Sequence, residues 1–526
     1  MQDSKWWQHG ILYQIYPRSF QDTNNDGIGD LPGIFHRLGY LVDLGIDAVW
    51  ISPIYPSPMV DFGYDVADFC DVDPIFGSLK EFDRLVAAAH ARKLRVILDF
   101  VPNHTSNQHS WFLESLASRR SSRRDWYIWG EPRPGGGPPN NWLSHFGGSA
   151  WEWDPGSKQY YYHSFLKEQP DLNWRNSAVK EGMYDVLRFW LNRGVDGFRV
   201  DVIWLLIKDD QFRDNPVNPG YSGGSSHNRL LPLYTSNRPE THQIVAEMRA
   251  VIDAYADRVL IGEIYLPVEQ LVTYYGTNLN GAHLPFNFQL IEAAWNATGI
   301  ARIIKEYEAA LPQGAWPNWV LGNHDKSRLA SRIGEAQARV AAMLLLTLRG
   351  TPTIYYGEEI NMADVLIPPE QVQDPAEKNE PGLGLGRDPE RTPMPWDGSL
   401  FAGFTSGKPW LPFGPNHSAQ NVAALRDASD SILNLYRHLI AVRRRNDALS
   451  NGLIEAISAE GDILRYERHL EEQKIAITLN LGRKTRQVSH SSARILLSTY
   501  LDRDNEEVTH YLSLRPAEGI IAEVNA

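Results

Sequence analysis

The sequence predicts an α/β protein, a (β/α)8 TIM barrel with an inserted subdomain after strand 3 and a C-terminal all-β domain. Eight short apolar, β-like runs alternate with amphipathic helical patterns before residue 450, which is typical of parallel βαβ units. A stretch rich in Trp, Gly and Pro follows the third run, and short alternating strands replace the helical pattern after residue 450.

Length and composition agree with this architecture and exclude several classes of protein. A chain of 526 residues is too long for one hydrophobic core, so more than one domain is expected. No apolar run is long enough to span a bilayer, and a net charge of −13 argues against nucleic acid as a partner. A small neutral sugar is compatible with this charge. The sequence does not indicate the oligomeric state.

The cysteine content and the first ten residues favour a cytoplasmic protein. Cys70 is the only cysteine, so no intramolecular disulfide can form. The residues up to Gly10 lack the basic and apolar regions of a secretory signal peptide. We therefore expect a reducing compartment.

The eight barrel strands are predicted from runs of β-branched and aromatic residues. They cover residues 11–16, 48–52, 95–100, 197–202, 259–263, 283–287, 319–321 and 353–356. Helical patterns follow the second run at 79–91 and precede the fourth at 181–191. In such a barrel the chemistry is carried by the C-terminal ends of the strands, so polar residues at those ends are the candidates.

The domain boundaries follow from the breaks in this alternation. We assign 1–104 and 171–450 to the catalytic barrel, 105–170 to the inserted subdomain, and 451–526 to an antiparallel β domain. The insertion is too long for an ordinary loop and is expected to wall one side of the barrel mouth, although an unstructured surface excursion is the alternative. The irregular stretch 362–396 after the eighth strand is expected to form a rim loop.

Carboxylic acids stand at the ends of four predicted strands. Arg199 and Asp201 alternate on one side of the fourth strand, so the guanidinium would keep Asp201 ionised, as a nucleophile requires. Glu263 ends an apolar run, where desolvation would raise its pKa and suit it to proton donation. Asp99 and Asp325 end the third and seventh strands. Each acid alone has an ordinary structural alternative, an ion pair or a satisfied buried carboxyl.

Four segments together resemble the conserved regions of the α-amylase superfamily of glycoside hydrolases (family 13). They are DFVPNH at 99–104, GFRVD at 197–201, GE at 262–263 and NHD at 323–325, in this order. QPDLN at 169–173, DFGYD at 61–65 and RTPM at 391–394 are similar to further segments of the oligo-1,6-glucosidase and α-glucosidase branch. The likeness runs nearly end to end.

The resemblance implies a retaining, exo-acting α-glucosidase that takes glucose from short α-glucosides. It implies that Asp201 is the nucleophile, Glu263 the acid/base and Asp325 the stabiliser of the transition state. The implied substrate-binding residues are Asp61, Tyr64, His104, Arg199, His324 and Arg391. Among them, Asp61 and Arg391 would form a pair that grips the terminal glucose and closes the pocket, and Tyr64 would stack on the sugar or simply pack.

A separate loop has oxygen-bearing side chains at alternate positions and Gly at the sixth. It resembles the first nine positions of a calcium-binding EF-hand loop, but Gly33 stands where a bidentate Glu is expected. We predict a structural Ca²⁺ or Mg²⁺, as in related α-glucosidases; an Asx-rich turn without metal is the alternative. The predicted ligands are Asp22, Asn24, Asp26, the carbonyl of Ile28, and Asp30.

Linkage preference and reaction type are less constrained. Val202 is the residue type that this branch associates with α-1,6 cleavage, and the Gly-, Pro- and Asn-rich insertion 208–239 is expected to shape subsite +1. Transferases and isomerases of the superfamily, of the trehalose synthase or sucrose isomerase type, would share all three acids. A non-catalytic relative is not favoured, because no acid is missing and no membrane helix is present in the sequence.

Overall fold

Eight parallel strands form a nearly closed barrel in the computed structural model, which describes residues 5–524. The strands are β1 (Leu12–Ile15), β2 (Ala48–Ile51), β3 (Arg95–Phe100), β4 (Gly197–Val200), β5 (Val259–Gly262), β6 (Leu284–Pro285), β7 (Asn318–Val320) and β8 (Thr351–Tyr355). Their order in the sheet is β7-β8-β1-β2-β3-β4-β5-β6, and each of the eight predicted runs overlaps one strand. Residues 1–4 and 525–526 of the predicted terminal domains lie outside the described residues.

A side chain joins the two strands at the ends of this sheet. The side-chain Oδ1 of Asn318 accepts a hydrogen bond from the backbone N–H of Asn287 at 3.0 Å, and its side-chain Nδ2 donates to the backbone carbonyl of Pro285 at 2.5 Å. Because Pro285 has no N–H to offer, a side-chain bridge replaces the backbone ladder at this seam.

Amphipathic helices surround the barrel. The first begins at Asp30, whose carboxylate caps it by accepting the N–H of Gly33 at 2.7 Å, and ends at Gly45 with φ 94°. The long helices are Leu31–Leu44, Leu79–Ala91, Ser177–Asn192, Thr241–Asp253, Ala297–Ala310, Glu335–Thr347 and Ile432–Arg445. The short helices are Trp6–His9, Val268–Leu271, Gln289–Glu292, Leu329–Ile333, Pro375–Asn379, Val422–Asp427 and Asp447–Asn451.

The alternation of side chains along each strand separates two cores. Trp50 of β2 points into the barrel with Leu12 and Ile97, whereas its neighbours Val49 and Ile51 pack outward in the core shared with the helices. At the C-terminal end of β3 and β4 the inward positions become polar. This end of the barrel therefore has a charged layer above an apolar floor.

The insertion is an ordered subdomain. It contains the helix Ser110–Ala117 and a three-stranded antiparallel sheet in the order Trp129–Gly130, Gln159–Tyr162, Trp151–Asp154. Trp142, Trp151 and Tyr162 form its core. An unstructured excursion is therefore the wrong description. A buried carboxylate ties its end to the barrel, since Asp171 accepts hydrogen bonds from Asn103 and Ser164 at 2.9 and 2.7 Å.

The C-terminal region is an antiparallel β structure. Its six-stranded sheet has the order Leu453–Glu460, Ile463–Leu470, Gln473–Asn480, Gly519–Val524, Ala493–Ser498, Glu507–Val508, and a second sheet pairs Arg486–Ser489 with Tyr511–Leu514. The alternation after residue 450 predicts strands at 463–468, 474–481, 494–498 and 511–514, and these overlap four of the eight. Within residues 5–524, none of the helices combines the length and apolarity that crossing a bilayer requires.

Candidate active site

A cavity of about 600 Å³ opens at the C-terminal ends of the barrel strands. The predicted nucleophile, acid/base and stabiliser, Asp201, Glu263 and Asp325, all line it, although they come from three different strands. The cavity is bounded by the barrel on one side and by the inserted subdomain on another, through Phe165. This size is that of a small-molecule site.

Arg199 is the centre of the charged layer. Its Nη1 donates hydrogen bonds to Asp99 at 2.6 Å and to Asp201 at 2.8 Å. Its Nη2 lies 2.8 Å from Glu263 Oε2 without the direction of a hydrogen bond, and the side chain is fully buried. One guanidinium thus contacts both predicted catalytic carboxyls. Its charge favours the ionised form of each, and Asp201 alone receives a directed hydrogen bond from it.

The residue after Asp201 is strained. Val202 has φ 37° and ψ 45°, a left-handed conformation that is rare for a β-branched side chain and costs on the order of 1–3 kcal/mol. In this conformation its backbone N–H donates to Glu263 Oε2 at 2.8 Å. The strained turn therefore orients the predicted acid/base, and the Val202 side chain lines the cavity.

Burial controls the protonation of the two carboxyls. Burial raises the pKa of Asp201 and of Glu263, the charge of Glu263 raises the pKa of Asp201 further, and Arg199 opposes both shifts. Two carboxyls in this environment titrate as a pair and do not lose both protons over the same pH range. Such a pair can supply one proton donor and one anion near neutrality.

Asp325 is the acid that stays ionised. Its Oδ1 accepts hydrogen bonds from Arg391 at 2.8 Å and from Arg387 at 3.3 Å. Burial by itself would raise the pKa of Asp325, but the charges of Arg391 and Arg387 outweigh it and hold that pKa below its usual range. Asp325 therefore brings a permanent negative charge to the cavity.

The predicted residues His324 and Tyr64 form one stacked unit at the cavity wall. Their rings lie 5.4 Å apart and nearly parallel, and the Tyr64 hydroxyl is 2.7 Å from His324 Nε2. Gln14 contacts the other imidazole nitrogen at 2.7 Å, and burial holds the pKa of His324 well below its ordinary value. Both predicted residues face the cavity, with His324 neutral.

His104 and Asp61 meet through Gln169 of the QPDLN segment. The Gln169 amide donates to Asp61 Oδ2 at 3.1 Å and lies 3.2 Å from His104 Nε2. Burial lowers the pKa of His104, so this imidazole is also neutral. The three polar side chains converge on one side of the cavity.

The structure corrects the predicted pairing of Asp61 with Arg391. Arg387 Nη2 donates to Asp61 Oδ1 at 2.8 Å and lines the cavity. Arg391 is fully buried behind Asp325, does not line the cavity, and donates to the carbonyl of His324 at 2.7 Å. The reason is the 3₁₀ turn Asp388–Glu390, which places the two arginines at different depths. Arg387, missed from the sequence, stands four residues before the motif that was recognised.

Three irregular segments form a roof over the cavity. His145 of the insertion stacks on His227 of the 208–239 segment, with ring centroids 3.8 Å apart. Glu380 of the rim segment accepts hydrogen bonds from Ser225 Oγ at 2.9 Å and from the N–H of Ser226 at 3.0 Å. The 208–239 segment, expected to shape subsite +1, is thus fastened to both neighbours.

The predicted metal loop is a compact Asx-rich turn. Asp22 Oδ1 accepts the N–H groups of Asn24 and Asn25, Asp26 Oδ1 accepts that of Ile28, and Asp30 caps the first helix. Nowhere in residues 5–524 are three or more His, Cys, Asp or Glu side chains grouped to hold a metal ion. The loop offers oxygen donors, which suit Ca²⁺ and Mg²⁺, and the ion remains a prediction.

Several aromatic and imidazole residues of the cavity were not predicted. Phe146, Phe165, Trp204 and Tyr265 line it together with the stacked histidines. They lie in irregular segments with no periodic pattern, so the richness of those segments in aromatic residues was the only available signal.

The sequence matches a known family model and several named enzymes. The model of the alpha-amylase catalytic domain matches residues 14–452. A probable alpha-glucosidase of Rhizobium meliloti (strain 1021) is 42% identical over 91% of this chain and 90% of its own length. An oligo-1,6-glucosidase of Heyndrickxia coagulans is 37% identical over 95% of this chain and 96% of its own.

Solved structures with the same fold include enzymes that transfer or isomerise. The alpha-glucosyl transfer enzyme XgtA has a TM-score of 0.94 and 38% identity, covering 99% of this chain and 100% of its own. The isomaltulose synthase SmuA from Protaminobacter rubrum has a TM-score of 0.92 and 33% identity with the same coverage. From the site geometry and these matches, the chain belongs to the alpha-amylase family of glycoside hydrolases.

Proposed function

We propose that this protein is an exo-acting, retaining α-glucosidase that releases α-glucose from the non-reducing end of short α-glucosides. The observation that carries the proposal is the meeting of Asp201, Glu263 and Asp325 in one cavity, two of them on the same guanidinium. The names of the relatives, alpha-glucosidase and oligo-1,6-glucosidase, support the same activity.

The reaction would proceed by double displacement. An Asp201 oxygen attacks the anomeric carbon as the glycosidic C–O bond breaks, and the Glu263 carboxyl gives its proton to the leaving oxygen. Glu263 then takes a proton from water, whose oxygen attacks the same carbon and breaks the ester to Asp201. Retention needs the two carboxyls roughly 5 Å apart. Asp325 would oppose the positive charge of the oxocarbenium-like transition state.

The exo mode would follow from the closed end of the cavity. Asp61, Arg387 and Gln169 are joined by hydrogen bonds of 2.8 and 3.1 Å, and these groups can bind the hydroxyls of a terminal glucose. His104, His324 and Tyr64 would bind the same sugar from the side. A chain that continued past this glucose would meet the Asp61–Arg387 ion pair.

The first test replaces the proposed nucleophile. Asp201→Asn removes the attacking anion but keeps the side-chain size, so glucose release from maltose should fall by about 10⁴-fold or more, with the melting temperature preserved. Asp257→Asn, an exposed aspartate far from the cavity, is the matched control and should be unaffected. Unchanged glucose release by Asp201→Asn would refute the assignment.

A second candidate function is glucosyl transfer or isomerisation, because the transfer enzyme and the isomaltulose synthase share this fold over nearly the whole chain. Incubation with maltose, isomaltose, sucrose and trehalose, followed by chromatography of the products, separates the two. Free glucose should dominate. An isomerised disaccharide or a glucosyl acceptor product in excess over glucose would favour the second candidate.

Linkage preference would depend in part on Val202, which lines the cavity beside the proposed nucleophile. We expect Val202→Thr to raise the ratio of maltose to isomaltose cleavage. The measurement is kcat/KM for both disaccharides, and an unchanged ratio would show that other residues set the linkage.

The proposal includes a structural Ca²⁺ or Mg²⁺ on residues 22–30 and a cytoplasmic location. All five predicted ligand atoms are oxygens, and the loop carries three carboxylates to balance a divalent charge. Removal of the ion with EDTA should lower the melting temperature by a few degrees, and added Ca²⁺ or Mg²⁺ should restore it. An Asp22→Ala variant should lose this response; equal melting temperatures with and without EDTA would exclude the ion.

The cytoplasmic location is supported by the single cysteine, Cys70, because a chain with one cysteine forms no intramolecular disulfide.

A further inference from the structure

A second cavity of about 620 Å³ lies behind the closed end of the first. It is bounded by the inserted subdomain, by the segment around Asp61 and by the rim segment. Its aromatic lining residues are the half-buried Phe165 and the largely buried Trp151 and Phe62. Phe165 lines both cavities, so they adjoin.

The partition between the two cavities is one layer of residues thick. Asp61 faces the first cavity, whereas its chain neighbours Val60 and Phe62 face the second. Arg387 faces the first cavity and donates to Asp374 at 2.6 Å. Gln373 and Pro375, on either side of Asp374, line the second cavity. A ligand in the second cavity would therefore touch the back of the partition.

The polar groups of the second cavity are of two kinds, some hydrogen-bonded within the protein, as Ser144 and His163 are, and some without a protein partner. Within the described chain, five lining side chains make no hydrogen bond or ion pair with another residue: Glu152, Lys167, Glu168, Lys378 and Asn379. Two are acidic and two basic, so the lining has no excess charge to select an ion. Unpaired donors and acceptors beside aromatic surface suit a neutral, polyhydroxylated molecule.

We propose that the second cavity is a saccharide-binding site, separate from the site of reaction, that takes a neutral α-linked oligosaccharide. The choice of ligand rests on the proposed function, since the same class of sugar is the substrate. Binding is weaker than in the first cavity, because there the polar groups are already fixed by their partners, whereas here they must be ordered by the ligand.

The experiment uses Asp201→Asn, which retains sugar without turning it over, with maltotriose as the probe. Crystals soaked with maltotriose should contain sugar in both cavities, and an NMR titration in solution should require two binding steps. In the double variant Asp201→Asn with Lys378→Trp, the indole fills the second cavity. The crystal should then contain no sugar in that cavity, and the titration should lose the weaker of its two binding steps. Lys305→Trp, an exposed lysine on the helix Ala297–Ala310, is the matched control and should retain both.

A second variant guards against distortion by the bulky ring. Glu152→Gln with Glu168→Gln keeps the size of both side chains and should weaken the second step at least threefold without changing the first. A single binding step in Asp201→Asn, or sugar in the crystal with no second step in solution, overturns the proposal. Absence of glucose release by the unmodified protein would overturn the proposed function instead, so the two failures are distinguishable.

Discussion

A chain of buried acids and arginines with alternating charges fixes the side chains at the closed end of the cavity. Asp374 is fully buried and accepts a hydrogen bond from Arg387, which reaches both Asp61 and Asp325. Arg391 supports Asp325 from the other side. Buried ion pairs of this kind contribute little net stability, but the removal of one partner leaves an uncompensated charge. Their role here is positional.

We expect Asp374→Asn to raise KM for maltose about tenfold, with kcat reduced less than threefold. The change removes the charge that orients Arg387, and a hydrogen bond to a charged group contributes about 1.5–3 kcal/mol. Asp374 lines neither cavity, so the variant acts through Arg387 as a positioning residue. Steady-state kinetics measures the split between KM and kcat.

The matched control is Asp397→Asn, a carboxylate that caps the turn at Ser399 away from the cavity. It should leave KM unchanged. If Asp374→Asn altered only the melting temperature and not KM, the positioning role would be excluded.

Irregular elements, not the barrel strands, set the access to the cavity. The insertion, the 208–239 segment and the rim segment meet at the His145–His227 stack and at Glu380. We expect a roof made of these contacts to favour short substrates over long ones. Glu380 links two of the three segments through a single carboxylate.

Glu380→Ala should loosen this roof and improve the relative use of longer substrates. Two hydrogen bonds to a partly exposed carboxylate are lost, at about 1 kcal/mol each, so kcat/KM for maltotetraose relative to maltose should rise about fivefold. The comparison requires both substrates assayed side by side.

Glu370→Ala serves as the control for this prediction, since Glu370 is an exposed acid of the same segment. Its substrate ratio should equal that of the unmodified protein. If Glu380→Ala also left the ratio of kcat/KM for maltotetraose to that for maltose unchanged, the roof would not limit substrate length.

A buried arginine, Arg468, joins the C-terminal sheet to the barrel, and a second one, Arg443, supports the same helix end from within the barrel. Arg468 donates to the carbonyls of Thr347 and Gly452 at 2.6 and 2.9 Å, and Arg443 donates to those of Leu346 and Gly350 at 2.9 and 2.7 Å. They satisfy carbonyl groups at the C-terminal end of the helix Glu335–Thr347. The C-terminal sheet is therefore tied to the barrel by buried hydrogen bonds.

Arg468→Leu should destabilise the whole protein by about 3 kcal/mol, because two buried carbonyls lose their donor. Chemical denaturation monitored by fluorescence gives the free energy of unfolding. Arg494→Leu, at an exposed ion pair with Glu523, should cost no more than about 1 kcal/mol. Equal losses in the two variants would contradict a structural role for Arg468.

Local sequence patterns were sufficient to predict the barrel strands and the candidate acids at their ends. The eight strands follow from apolar runs of β-branched residues, and this prediction succeeds because strand formation and the alternation of side chains depend on near neighbours. The acids at the strand ends, together with the resemblance to the α-amylase superfamily, led to Asp201, Glu263 and Asp325 as the candidate catalytic set, and their roles stay predictions.

Only the tertiary structure decided which side chains meet across the cavity. Asp61 contacts Arg387 rather than Arg391 because a 3₁₀ turn buries the second arginine, and the two partners lie 326 positions apart in the chain. The His145–His227 stack and the second cavity likewise join segments without periodicity. Periodicity determines an element, whereas the packing of distant, irregular segments determines the pocket, and no local pattern records that packing.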